Sequence, residues 1–211
     1  MVDAALLPAI KAALKFNEIG DADPYALSFA RLGQSGASFG WAQADTNTNP
    51  AARACLQQAL QAYGTSDAER AAIMAAVSQP MPSGPAPLLS TDVGLVNAAL
   101  SSPAGMALVD AMDAGTLQVV LGEVDECIAA ADDDGIAPDA QIAIALWVNM
   151  TGEPTSLLTW LASASIPSRP LISLADVMTY LAATLYFRVH TRNLVHFKDA
   201  VAAGVALLPV G

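Results

Sequence analysis

The sequence predicts an all-α fold of about eight to ten helices in two lobes, and three observations carry that expectation. Apolar residues recur at helical spacing along most of the chain. Residues that start helices precede many of those runs: Asp3, Asn49-Pro50, Ser66 with Glu69, and Pro138-Asp139. No stretch alternates apolar and polar residues for long enough to specify a strand. Just over half of the 211 residues are apolar. Many of these are alanine, whose small side chain lets helices approach closely, so the composition describes a dense helical interior. The length suits one domain, with lobes at about 1–79 and 88–211.

Asp3 is placed to cap a first helix. Leu6, Leu7, Ile10, Ala13, Leu14 and Asn17 share one face of it, and Gly20 is placed to end it after Ile19. Asp21 or Asp23 can cap a short helix from Pro24 to Leu32-Gly33. A Gly/Ser/Asn-rich loop, 34–49, comes next, and Asn49-Pro50 opens a helix to Tyr63-Gly64. Ser66 and Glu69 have the spacing of a capping box for a helix to about Ser78. The proline-rich stretch 80–87 cannot continue a helix and is the expected connector between lobes. Beyond it, helices are expected from Ser90 to Ser102, from Pro103 to about Ala131 with Gly115 and Gly122 as points of bending or interruption, and from Pro138 to Thr151-Gly152. Shorter ones follow over Pro154–Ala164, Ser173–His190 and from Thr191 or Asn193 to Leu208.

The formal charge of −11 argues against nucleic acid, because a phosphate-binding face needs clustered Lys and Arg. It argues equally against an anionic membrane surface. No uninterrupted apolar run reaches the roughly 18 to 20 residues that span a bilayer, so a soluble protein without membrane insertion is expected. Asp3 and Lys11 break the pattern of a secretory signal. Cys55 and Cys127 lie in apolar helical settings without metal-ligand spacing, which favours two buried thiols over a disulfide.

Chemistry concentrates between Glu18 and Pro50, around Ser38-Phe39-Gly40-Trp41-Ala42-Gln43-Ala44-Asp45. Cleaving a glycosidic bond requires a carboxylic acid to protonate the leaving oxygen. Hydrolysis usually adds a second carboxylate that activates water or stabilises the sugar cation. Glu18 and Asp45 are the candidates. Glu18 falls in the last turn of its helix, against the negative end of the dipole, which raises its proton affinity. Gly40 permits close approach of the backbone to a ligand. Trp41 offers either a flat face to a sugar ring or an anchor for the loop. Gln43 can both donate and accept hydrogen bonds, and Ser38 either touches substrate or shapes the loop.

A glutamate at a helix end, followed some two dozen residues on by Gly-x-x-Gln-x-Asp, resembles the lysozyme-like superfamily, in particular goose-type lysozymes and lytic transglycosylases. The resemblance covers about thirty residues. It implies a single lysozyme-like catalytic domain cleaving an amino-sugar polymer, peptidoglycan above all, with no cofactor and no metal. Glu18 would be the general acid, Asp45 would place water, and Gly40 and Gln43 would line the groove. Asp21 or Asp23 lies roughly where goose-type enzymes carry a further loop carboxylate. The alternative is a non-catalytic helical module binding a glycan or protein.

Other features read more simply. Ser38 has no nearby histidine to activate it as a nucleophile. Asp132-Asp133-Asp134-Gly135 lacks the remaining ligands of a calcium loop and reads as a polar turn. His190 and His196, with Arg188 and Arg192, read as surface or structural residues, and Tyr180 and Tyr186 as core aromatics.

Overall fold

Asp3 accepts a hydrogen bond from the Ala5 N–H and opens a short 3-10 turn, Ala4–Leu6, that leads directly into helix α1, Leu7–Ile19. The computed structural model describes residues 1–30, 33–80, 90–131, 135–152, 155–163, 166–168 and 170–209. Among these, helices dominate: α2 Pro50–Tyr63, α3 Asp67–Val77, α4 Ser90–Leu100, α5 Pro103–Ala130, α6 Pro138–Thr151, α7 Thr155–Leu161, α8 Leu174–Ala183, α9 Leu185–Val189 and α10 Thr191–Val205. The local start signals act as expected. Asn49 caps α2, the Ser66–Glu69 capping box opens α3, and Gly64 and Gly152 end α2 and α6 in left-handed conformation. The all-α class holds.

The chain divides into two units, and the division is not at the proline-rich stretch. One unit combines Met1–Gly20 with Leu117–Gly211; the other is the continuous segment Asp21–Thr116. Residues 81–89 lie outside the described residues, but α3 and α4 on either side of them both belong to the second unit. The expected lobes at 1–79 and 88–211 are therefore corrected. The reason is packing: α1 is the partner of α6 and α10, whereas α2 packs with α3 and α4.

In the first unit α6 is central. Ala140 and every residue from Ile142 to Val148 are buried, as expected of a helix covered on all sides. Its neighbours are α1, α8 and α10. Gly204 on α10 makes the tightest fit: an added Cβ there would meet the Ala9 carbonyl oxygen at 2.7 Å, Ala13 Cβ at 2.9 Å and Ile142 Cγ2 at 3.0 Å. Trp147 meets Phe187 at a tilt, and Phe187 meets Phe197 edge to face. A two-residue parallel pairing joins β3, Gly135–Ile136, to β4, Leu171–Ile172. In the second unit Phe39, Leu56, Leu60, Val77, Val96, Leu100 and Val109 form the core.

Several expectations fail for identifiable reasons. Residues 24–30 are not helical: the Asp23 carboxylate takes the Tyr25 N–H, Asn97 takes the Leu27 N–H, and Ser28 exchanges backbone hydrogen bonds with Ser38. Side-chain and cross-chain partners thus replace the helical ladder. Short strands exist where none was expected, because loop 38–45 closes on itself: β1, Ser38–Phe39, pairs antiparallel with β2, Ala44–Asp45. The expected helix Ser173–His190 is two helices. Thr184 turns extended (ψ 150°), and its hydroxyl donates to the Leu181 carbonyl. α5 runs unbroken through Gly115 and Gly122. It is also long and apolar enough to cross a bilayer by length and composition, which corrects the expectation that no such segment exists; core helices of soluble proteins pass the same criterion. Cys55 and Cys127 are free and buried, and burial raises their thiol pKa values to about 11 and about 12. Asp132–Asp134 lie outside the described residues.

Gly204→Ala tests the close packing of α10. Helix propensity favours alanine by about 1 kcal/mol, but the Ala9 backbone cannot swing aside as a flexible side chain would. We expect a net loss of about 1–2 kcal/mol, read as a lower urea midpoint.

Candidate functional site

Glu18 occupies the last turn of α1, where carbonyl groups run out of helical partners. The Gly20 N–H closes on the Lys15 and Phe16 carbonyls. The Asn17 carbonyl is satisfied from α10: His196 Nε2 lies 3.1 Å from it. A carbonyl oxygen only accepts, so Nε2 carries the hydrogen and the proton of neutral His196 is placed there. The His196 ring stacks on Phe16, with centroids 5.7 Å apart and planes inclined by 27°.

The Glu18 carboxyl is half-buried and held by two amides. Asn149 Nδ2, from the end of α6, donates to Oε1 at 3.0 Å, and Asn17 Nδ2 donates to the same oxygen at 3.2 Å. Burial raises the Glu18 pKa above the ordinary carboxylate value, opposed by the Asn17 amide, the nearby His196 charge and the Asn149 amide. The direction matches the sequence expectation, and its largest cause is loss of solvent. Both amides bind Oε1, so a proton on the carboxyl rests on Oε2. The group opens on a cavity of about 450 Å³ lined by Asn17, Glu18, Asn149, Met150, Tyr186, Asn193 and His196. Asn193 Nδ2 donates to the Tyr186 hydroxyl at 2.8 Å, which fixes the opposite wall. Apart from His196 and Tyr186, the remaining lining is neutral: carboxamides and a thioether. Among the described residues no group of acids, cysteines and histidines is arranged to hold a metal ion.

The other expected site residues belong to the second unit, whereas Glu18 belongs to the first. There they build a self-contained loop. Asp45 Oδ2 accepts from the Gly36 N–H at 2.8 Å, and Oδ1 accepts from Asn47 and Thr48 N–H at 2.7 and 3.1 Å. Its carboxylate is an Asx-type staple. Gln43 sits at φ +49°; its Nε2 donates to the Gly40 carbonyl at 3.1 Å, and its Oε1 accepts from the Ser28 hydroxyl. Trp41 is only 4% exposed and Ser38 7%, so neither presents a face to a ligand. Trp41 is the anchor, not the sugar platform.

Gly40 has a different reason from the one expected. At φ +78° an added Cβ would stand 2.5 Å from Asp113 Oδ1. The close approach it permits is that of Asp113, a fully buried carboxylate on α5 whose Oδ2 accepts the Trp41 N–H at 2.8 Å. The polar groups of this loop, from Ser38 through Gly40, Trp41 and Gln43 to Asp45, are turned inward and shape it. Asp21 and Asp23 precede it, and Asp23 is taken by the turn at Tyr25.

Comparison of the chain with known protein families, with curated proteins and with solved structures finds no match. The likeness to lysozyme-like proteins thus rests on the spacing of a few residues. Sequence reasoning missed Asn149, Asn193 and Met150, and read His196 and Tyr186 as structural. The available signal was polar: Asn149 follows an unbroken apolar run on α6, where an amide needs a reason.

The raised pKa has a stability consequence. Folded protein holds the Glu18 proton more tightly than unfolded chain does, so the contribution is fully present below the ordinary glutamate pKa and is lost as pH rises through the folded value. Glu18→Gln, which can still accept from Asn149, should therefore melt above the parent at neutral pH. The difference should close as pH falls below the ordinary glutamate range, as read by thermal unfolding across pH.

Proposed function

We propose that the chain is a glycosidase that cleaves an amino-sugar polymer, with peptidoglycan the leading substrate class, and that Glu18 is the proton donor. One observation carries the reading: a half-buried carboxyl of raised proton affinity, held through a single oxygen by two amides, stands at the wall of a cavity lined largely by carboxamides. A proton donor needs a pKa lifted toward the working pH, and burial is the usual means. The carboxamides of Asn17, Asn149 and Asn193 can exchange hydrogen bonds with hydroxyl and acetamido groups, and the cavity suits a neutral sugar better than a polycation.

In this scheme Glu18 Oε2 gives its proton to the glycosidic oxygen as the C–O bond breaks. The resulting carboxylate then takes a proton either from water, giving a reducing end, or from a hydroxyl of the sugar itself, giving an anhydro end. Asp45 is not needed for the step. With its oxygens accepting three loop N–H groups, it serves as a loop residue in this reading. The same observation favours the second reading, a non-catalytic module that holds a glycan in the Glu18 cavity, since among the described residues the lining supplies one carboxylate where most glycosidases use two.

Incubation with peptidoglycan, followed by mass analysis of soluble products, separates the readings. The parent is expected to release fragments and Glu18→Gln to lose at least about 100-fold in rate, the lower bound for removing a general acid. Asp45→Asn, which keeps the Asx turn, should lose far less. Release by Glu18→Gln at the parent rate sinks the assignment of the acid. Binding without release by any form establishes the module instead.

A further inference from the structure

His196 reaches the site from a helix near the end of the chain and serves two ends at once. Its Nε2–H closes the Asn17 carbonyl, the last-turn acceptor next to Glu18, and its ring lies flat on Phe16. The Asn17 side chain in turn donates to Glu18 Oε1. A chain of contacts therefore runs from α10 through the final turn of α1 to the carboxyl. A cationic donor at a helix C-terminus is favoured by the helix dipole, so the contact strengthens when the imidazole is protonated.

Among the described residues, the ionisable groups lining the cavity are Glu18 from α1, Tyr186 from α9 and His196 from α10, and α6 contributes Asn149 and Met150. The Tyr186 hydroxyl is occupied by Asn193. On α10 itself, Arg192 lines a neighbouring hollow with Val189, His190 and Thr191, which meets this cavity only at Asn193. His196 is thus the imidazole that stands beside Glu18 in this lining.

We propose that His196 is the positioning residue of Glu18: it fixes the last turn of α1 through Asn17, and its protonation state sets the pH range over which Glu18 holds its proton. The inference rests on the general-acid reading, but its physical core can be tested without turnover. A protonated His196 draws the proton off Glu18 by stabilising the carboxylate. A neutral His196 leaves burial to dominate, and Glu18 stays protonated to higher pH.

The experiment is a 13C NMR titration of glutamate-labelled protein, with the Glu18 signal assigned by its loss in Glu18→Gln. His196→Gln keeps an N–H donor for the Asn17 carbonyl and removes the charge; His196→Ala removes both. His196 is exposed on α10, so both forms should fold, and far-UV circular dichroism checks this. In His196→Gln the Glu18 midpoint is expected to move to higher pH, with amide-exchange protection of the α1 end retained. In His196→Ala the midpoint moves likewise and that protection falls. With peptidoglycan, the alkaline limb of the rate should move to higher pH in His196→Gln, and His196→Ala should lose up to about 100-fold in kcat through misplacement of the acid. An unchanged Glu18 midpoint in both variants overturns the proposal even if the parent cleaves peptidoglycan. A shifted midpoint with no cleavage by the parent leaves the His196–Glu18 coupling standing and removes the glycosidase reading instead.

Discussion

The close approach of α10 to α1 is the constraint on which the Glu18 cavity depends. Gly204 lets the α10 backbone come against Ala9 and Ala13, and Ile142 of α6 fills the remaining space. Three helices are thereby fixed at short range by small side chains. Each helix then carries a polar group to the cavity: Glu18 and Asn17 from α1, Asn149 from α6, His196 and Asn193 from α10. Packing comes first and the site follows from it. Interiors at crystal-like density transmit small displacements, so a methyl group at Gly204 would be felt as a shift in the wall of the cavity.

The second unit shows how a loop that looks chemical can be wholly occupied by its own architecture. Asp113 is buried against Gly40 and accepts the Trp41 N–H, while Asp45 gathers three N–H groups and Gln43 bridges Ser28 and Gly40. Buried polar groups must be satisfied, and here the acids and amides satisfy the backbone of an irregular segment that has no helical ladder. Thr46 does the same, with its hydroxyl 2.6 Å from the Val77 carbonyl. The motif Gly-x-x-Gln-x-Asp reads physically as a recipe for a rigid loop, whatever else such a loop can present.

The helices were legible in the sequence because their signals are local. Asp3, Asn49, and Ser66 with Glu69 cap what they were expected to cap, and Gly20 and Gly64 end what they were expected to end. Where a distant partner decides, the pattern fails. Residues 24–30 have a helical start signal, yet a turn at Tyr25 and the partners Asn97 and Ser38 hold them out of a helix. Of the site, Glu18 alone was legible; its raised pKa comes chiefly from burial, which depends on helices more than a hundred residues away. Asn149 lies 131 positions from Glu18, and His196 lies 179 from Asn17. No spacing rule connects such residues. Of the acids in that short window, Asp45 and Asp23 bond the backbone of the loop and of the turn before it.

The unit that holds Glu18 is assembled from both ends of the chain, Met1–Gly20 and Leu117–Gly211, with the continuous unit Asp21–Thr116 between them. During synthesis this imposes an order. The inner unit is complete once its own residues have emerged and can fold behind the ribosome. α1, although made before the inner unit, has no α6 or α10 to pack on until those later helices have emerged. Contacts of such long sequence separation form slowly, and until they do, the apolar face of α1 that carries Ile10 and Leu14 is uncovered. The cavity therefore forms later than the motif loop. A chain interrupted after the inner unit but before α10 would keep its motif loop and have no acid site.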